Sequence, residues 1–179
     1  MKKYFDELED AMIYLSLHPM TIFLGQNVKV DGNLLSKTLV NVPEIKKIEL
    51  PVFEDFQMGL CTGLAMEGFI PISIFPRMDF LIIAANQLTN HLSNIKSISN
   101  GGFTPKVLIR VAVGATQPLY SGLQHCQDHS AVIRLLCKNG INVIELKRKQ
   151  QIVSEYKNAL ERQDGLSTVL IEYGDLYNT

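Results

Sequence analysis

The chain has 179 residues, 46% of them hydrophobic and 20% charged, with a formal net charge of −1. That supplies one α/β domain with a full core, expected over 1–179, and too little for two comfortable ones. Near-neutral charge and the absence of Trp give no electrostatic or base-stacking case for nucleic acid, nor for an anionic membrane surface. Cys61, Cys126 and Cys137 are odd in number and form no C-x-x-C pair, which argues against a disulfide scaffold or a zinc knuckle. Met1-Lys2-Lys3 leads into an acidic stretch rather than an apolar signal core, and the longest strongly apolar run, 80–85, is too short to span a bilayer. The expectation is a cytoplasmic protein.

In chain order, helical spacing predicts a helix over 8–17, stopped by His18-Pro19. A buried strand over 21–24 ends at Gly25, a short helix follows over 33–40, and a second strand covers 47–50. The helix over 55–66 is closed by Gly68, a residue that tolerates positive φ. A third strand runs over 70–75, with Pro71 blurring its start, and a long helix over 79–96 comes next. The strongest strand signal is 107–113, followed by a loop over 114–124. A helix over 130–137, a strand over 141–146, a helix over 150–161 and a strand over 168–173 complete the chain. Alternating strands and helices predict a three-layer α/β/α fold with a mostly parallel sheet of about six strands. Ligands of such folds lie outside the carboxyl ends of the strands. Here that edge carries Gly25-Gln26-Asn27, Glu54, residues 75–78 and the loop over 114–125.

The sharpest local feature is the stretch from Glu54 to Leu64. Gly59 and Gly63 lie four apart on one helix face, where each costs roughly 1 kcal/mol relative to Ala. Two such losses imply close approach by another element, either the chain's own sheet or a second chain. Glu54 opens the helix, where a negative charge also suits the positive end of the helix dipole. His125 and His129 lie four apart with Asp128 between them, but no third ligand declares itself, so no metal site is expected. No Ser or Cys stands in a nucleophile elbow, and no P-loop or dinucleotide fingerprint is present.

The Glu54 stretch resembles the signature of thiamine-diphosphate enzymes: Glu, four residues, Gly, an apolar residue, two residues, Gly, an apolar residue. It fits without a gap, from Glu54 through Gly59-Leu60 to Gly63-Leu64. Its surroundings resemble the beta subunit of pyruvate and branched-chain 2-oxo-acid dehydrogenases, members of the transketolase-like group. Leu50-Pro51-Val52-Phe53-Glu54 is similar to that family's T-P-I-x-E, and 63–72 to its G-x-A-x-x-G-x-R-P-I with Ile70 in place of Arg. Asp79-Phe80, Asn86-Gln87, Asn90, Asn100-Gly101-Gly102, Gly114-Ala115 and Gln124-His125 follow in the family's order, so the resemblance covers about 20–175.

The resemblance implies a pyrimidine-binding domain for thiamine diphosphate. In it, Glu54 would hydrogen-bond a nitrogen of the cofactor's aminopyrimidine and favour the imino tautomer that activates the thiazolium carbon. A carboxyl group that exchanges a proton in this way must be held away from water. Phe75, Met78 and Phe80 would form the apolar wall of the pyrimidine pocket, Met78 standing where the family has Phe. His125 would face the substrate, as acid/base or as a hydrogen-bond donor to a carboxylate. Gln26-Asn27 replaces the family's acidic pair, and the family's C-terminal domain lies beyond the matched region. The family holds magnesium and diphosphate through a G-D-G motif, of which Gly174-Asp175-Leu176 is only a fragment. Magnesium is therefore assigned to a partner subunit with the diphosphate domain, in a homodimer-based or heterotetrameric assembly. The expected reaction is 2-oxo-acid decarboxylation or two-carbon/acyl transfer from a 2-oxo acid or ketose. A non-catalytic binding or regulatory module that has kept the fold is the rival reading, motivated by Gln26-Asn27, Met78 and the absent domain.

Overall fold

The computed structural model describes residues 2–30, 32–137 and 139–179. Helix α1 (Tyr4–Leu17) leads into β1 (Thr21–Gly25), the single turn α2 (Leu34–Lys37), β2 (Lys47–Glu49) and α3 (Glu54–Met66). Next come β3 (Ile70–Phe75), the short helices α4 (Met78–Leu81) and α5 (Ile95–Ile98), and β4 (Leu108–Val113). The chain closes with α6 (Ser130–Leu136), β5 (Ile141–Glu145), α7 (Ile152–Glu161) and β6 (Ser167–Tyr173). The six strands form one sheet in the order β2-β1-β3-β4-β6-β5, parallel at every pairing. With helices on both faces, this is the three-layer architecture that the alternation predicts.

Side chains of alternate strand residues divide the core. Phe23, Ile72, Ile74, Leu108 and Leu170 face the layer holding α1 and α7. Leu24, Phe75, Ile109, Val111, Val169 and Ile171 face the layer holding α3, α4 and α6. Every residue of β4 is buried, as a central parallel strand covered on both faces requires.

Three expectations change. Helix α1 begins at Tyr4 rather than residue 8, because Asp6 accepts a hydrogen bond from the Lys3 backbone N–H (2.8 Å) and secures the first turn. The helix expected over 33–40 is one turn, α2, with Asn33 as its N-cap accepting from the Ser36 N–H at 2.9 Å. The long helix expected over 79–96 is broken into α4, a 3-10 turn (Ile82–Ala84), a π-helical turn (Gln87–Leu92) and α5. Its polar side chains compete for backbone carbonyls: Thr89 Oγ1 donates to Ala85 O at 2.7 Å, and Asn94 Nδ2 to Thr89 O at 2.9 Å.

A buried charge pair ties the strand layer to α7 and the C-terminal turn. Arg110 on β4 donates from Nε and Nη2 to Glu172 on β6, at 2.5 and 3.0 Å, and neither residue is exposed to solvent. The Tyr156 and Tyr177 hydroxyls donate to the same carboxylate, each at 2.6 Å. Burial and then the Glu172 charge push both phenols well above their ordinary range. Burial works against the Arg110 charge, but the Glu172 carboxylate outweighs it and keeps the guanidinium charged.

Candidate functional site

The carboxyl edge of the sheet collects the predicted residues. At the end of β1, Gly25 takes φ +149, and a Cβ there would lie 2.3 Å from the Ile74 carbonyl oxygen, so only glycine fits. That tight exit delivers Gln26 to the edge. Gln26 is buried, and its Nε2 donates to Oε1 of Glu54 at 2.9 Å. Glu54 itself is 4% exposed and is the first residue of α3. No other hydrogen bond to its carboxyl group occurs among the described residues. The second oxygen is thus not committed to another side chain. Beside it, Glu49 binds the backbone N–H groups of Asn27, Val28 and Lys29, each at 2.7 Å, and fixes the loop that carries Gln26.

Phe75 and Met78 have no exposed surface and pack within the core beneath the edge. Phe80 is partly exposed and meets the ring of His125 edge-on, with centroids 5.7 Å apart. His125 ends a short 3-10 turn (Leu123–His125) in the loop after β4. A Cβ on Gly114 would lie 1.9 Å from the His125 carbonyl oxygen, so a glycine at the end of β4 lets the loop fold back and bring His125 to Phe80. His129 stands apart as the N-cap of α6, its backbone N–H directed at Met78 Sδ (3.0 Å). Among the described residues no group of three His, Cys, Asp or Glu is placed to hold a metal ion. Burial pushes the Cys61 and Cys137 thiols up to about 12, which disqualifies both as nucleophiles near neutral pH.

Sequence reasoning missed two contributors. Gln26 was legible only as a departure from an acidic pair, whereas in the fold it is the hydrogen-bond partner of Glu54. Asp175 read as a fragment of a metal motif, yet it pins the loop after β4. Its carboxylate accepts from the Thr116 N–H (2.6 Å), the Thr116 hydroxyl (2.8 Å) and the Gln117 N–H (3.0 Å). Burial raises the proton affinity of Asp175, but these hydrogen bonds outweigh it and hold the carboxyl below its ordinary range.

On α3, Gly63 is exposed, while Gly59 is partly buried and faces the segment after β3. The atoms nearest a Cβ on Gly59 belong to the Gln87 side chain, from 3.5 Å, and a Cβ on Gly63 would meet nothing within 4 Å. Phe53 (57% exposed) and Phe56 (46%) flank the start of this helix with rings 6.0 Å apart. Internal packing therefore does not account for Gly63.

No protein-family model matches the chain. It is 26% identical over 182 residues to the pyruvate dehydrogenase E1 component subunit beta of Gracilaria tenuistipitata var. liui, covering 97% of this chain and 53% of that protein. Against the same subunit of Porphyra purpurea it is 27% identical over 154 residues, 86% of this chain and 44% of that one. The chain thus spans about half the length of the curated relatives it matches. Among solved structures, a split-gene transketolase, described as an inactive beta4 tetramer, superposes with a TM-score of 0.59 at 18% identity. It covers 94% of this chain and 50% of that one. The chain is therefore similar in sequence to the beta subunit of a 2-oxo-acid dehydrogenase, and its fold is that of transketolase-like thiamine-diphosphate enzymes, as the Glu54 signature implies. No described helix is long and apolar enough to cross a membrane, and chloroplastic forms occur among the similar proteins.

Proposed function

We propose that the chain is the pyrimidine-binding subunit of a split thiamine-diphosphate enzyme, completed by a separate subunit that holds the diphosphate and magnesium. The observation that carries this reading is the placement of Glu54: buried, at the carboxyl edge of a parallel sheet, with one oxygen held by Gln26 and the other uncommitted. The cofactor, when bound, supplies the carbanion chemistry, and the protein supplies orientation and proton control. The Glu54 carboxyl group would hold the aminopyrimidine ring by a hydrogen bond and carry the proton exchanged there. Phe80 offers a partly exposed aromatic surface at the same sheet edge, and Phe75 and Met78 lie buried in the core there. His125, edge-on to Phe80, faces the substrate as acid/base or as a donor to its carboxylate. The outward α3 face, with Gly63, packs against the same helix of a second subunit.

The reaction class is 2-oxo-acid decarboxylation or two-carbon/acyl transfer. The similarity to pyruvate dehydrogenase beta subunits favours 2-oxo acids as donors, and the likeness to a split-gene transketolase supports a divided active site. The test is co-expression with a neighbouring chain that carries a diphosphate motif, followed by assay on 2-oxo acids and ketoses. In that complex Glu54→Gln keeps fold and assembly while turnover falls by roughly 100-fold or more, the scale of a lost positioned proton relay. Near-wild-type turnover would remove Glu54 from this role.

A further inference from the structure

A cleft of about 280 Å³ opens at the same edge of the sheet, between α2 and the loop after β4. Glu54, Phe80 and His125 do not line it. Its walls are mainly apolar, from Leu34, Leu35, Ala112, Leu119 and the ring of Tyr177, whose hydroxyl is taken by Glu172. One cationic residue, Arg77, lines it from the turn between β3 and α4. Arg77 forms no ion pair among the described residues, and its single hydrogen bond goes to its neighbour's carbonyl, Pro76 O, at 3.3 Å.

Among the described residues, no acid along this edge forms an ion pair with Arg77. Asp175 is bound by Thr116 and Gln117 and Glu49 by three backbone N–H groups, while Glu54 and Asp79 each have one oxygen held, by Gln26 and by Gln127. The Asp175 contacts also fix the cleft wall at Gln117, so the cavity is organised before any ligand arrives. Arg77 is half-buried, its Cδ lying 3.3 Å from the position a Cβ on Gly114 would take. A guanidinium held against apolar walls attracts an anion more strongly than it would in water, and its planar fork matches a carboxylate.

We propose that this cleft binds a small aliphatic monocarboxylate, with the carboxylate on Arg77 and the hydrocarbon against Leu34, Leu35 and Leu119. The volume falls just below the usual range of small-molecule sites and suits a short branched chain. The apolar walls favour a hydrocarbon body over a sugar phosphate.

The experiment titrates the full chain, without cofactor or partner, with 3-methylbutanoate, its neutral amide and inorganic phosphate, followed by amide NMR shifts. The carboxylate binds saturably and moves the resonances of Ala112, Gln117 and Leu119, while the amide does not. Arg77→Gln weakens binding roughly tenfold or more, and Arg77→Lys retains part of it. Unchanged thermal melting shows that both variants are folded. No saturable binding, or binding that Arg77→Gln leaves intact, overturns the site. Binding of phosphate in preference to the carboxylate overturns the ligand assignment. Glu54→Gln leaves this binding unchanged, so failure here is separable from failure of the thiamine-diphosphate reading.

Discussion

His125 reaches Phe80 because Gly114 admits its carbonyl and because Asp175 pins the loop at Thr116 and Gln117. Under the proposed function, His125→Ala lowers turnover of the assembled enzyme by more than it lowers cofactor affinity. Calorimetry with thiamine diphosphate and steady-state kinetics on one preparation decide this; a large loss of affinity with unchanged saturated turnover would make His125 a cofactor-holding residue. Glu172 poses a stability question instead. It is the only counter-charge bonded to Arg110 among the described residues, and Arg110 Nη1 is already buried without a partner. Glu172→Gln strands that charge and costs about 3–5 kcal/mol, seen as a lower urea midpoint. Pairing it with Arg110→Leu restores much of the loss; an unchanged midpoint in the single variant would refute the role of the pair. Neither partner advertises this in the sequence. They are 62 positions apart, and only the pairing of β4 with β6 brings them together. The position of Glu54 was legible because it opens a local pattern, and its contact with Gln26 was not, because the two lie 28 residues apart.

At the level of elements, periodicity and turn chemistry located all six strands: five are short, mainly apolar runs bounded by turns, and β2, Lys47-Ile48-Glu49, alternates polar and apolar residues. The segment after β3 misled the periodicity because its apolar residues keep helical spacing while Thr89 and Asn94 draw its carbonyls out of register. In α3 the glycines were legible but their reason was not; the structure leaves Gly63 facing open space. Gly63→Leu therefore leaves the isolated chain folded, with a gain of up to roughly 1 kcal/mol from better helix propensity. The same change blocks close packing of α3 against another subunit. Thermal melting of the free chain and sedimentation of the complex measure the two halves separately. Intact assembly with normal turnover would show that this face is not an interface.

For the whole molecule, the central claim is that one half of a cofactor site resides here. The fold offers a buried carboxyl group, an aromatic surface and a histidine at one sheet edge, which the proposed function assigns to the pyrimidine end and the substrate. The charge of thiamine diphosphate sits at its other end, where oxygen-rich magnesium coordination normally holds it. Isothermal titration with thiamine diphosphate and magnesium, on the chain alone and then with its diphosphate-domain partner, tests this most directly. The account predicts no appreciable binding by the chain alone and saturable binding once the partner is added, weakened or made unproductive by Glu54→Gln; micromolar binding by the chain alone would contradict it.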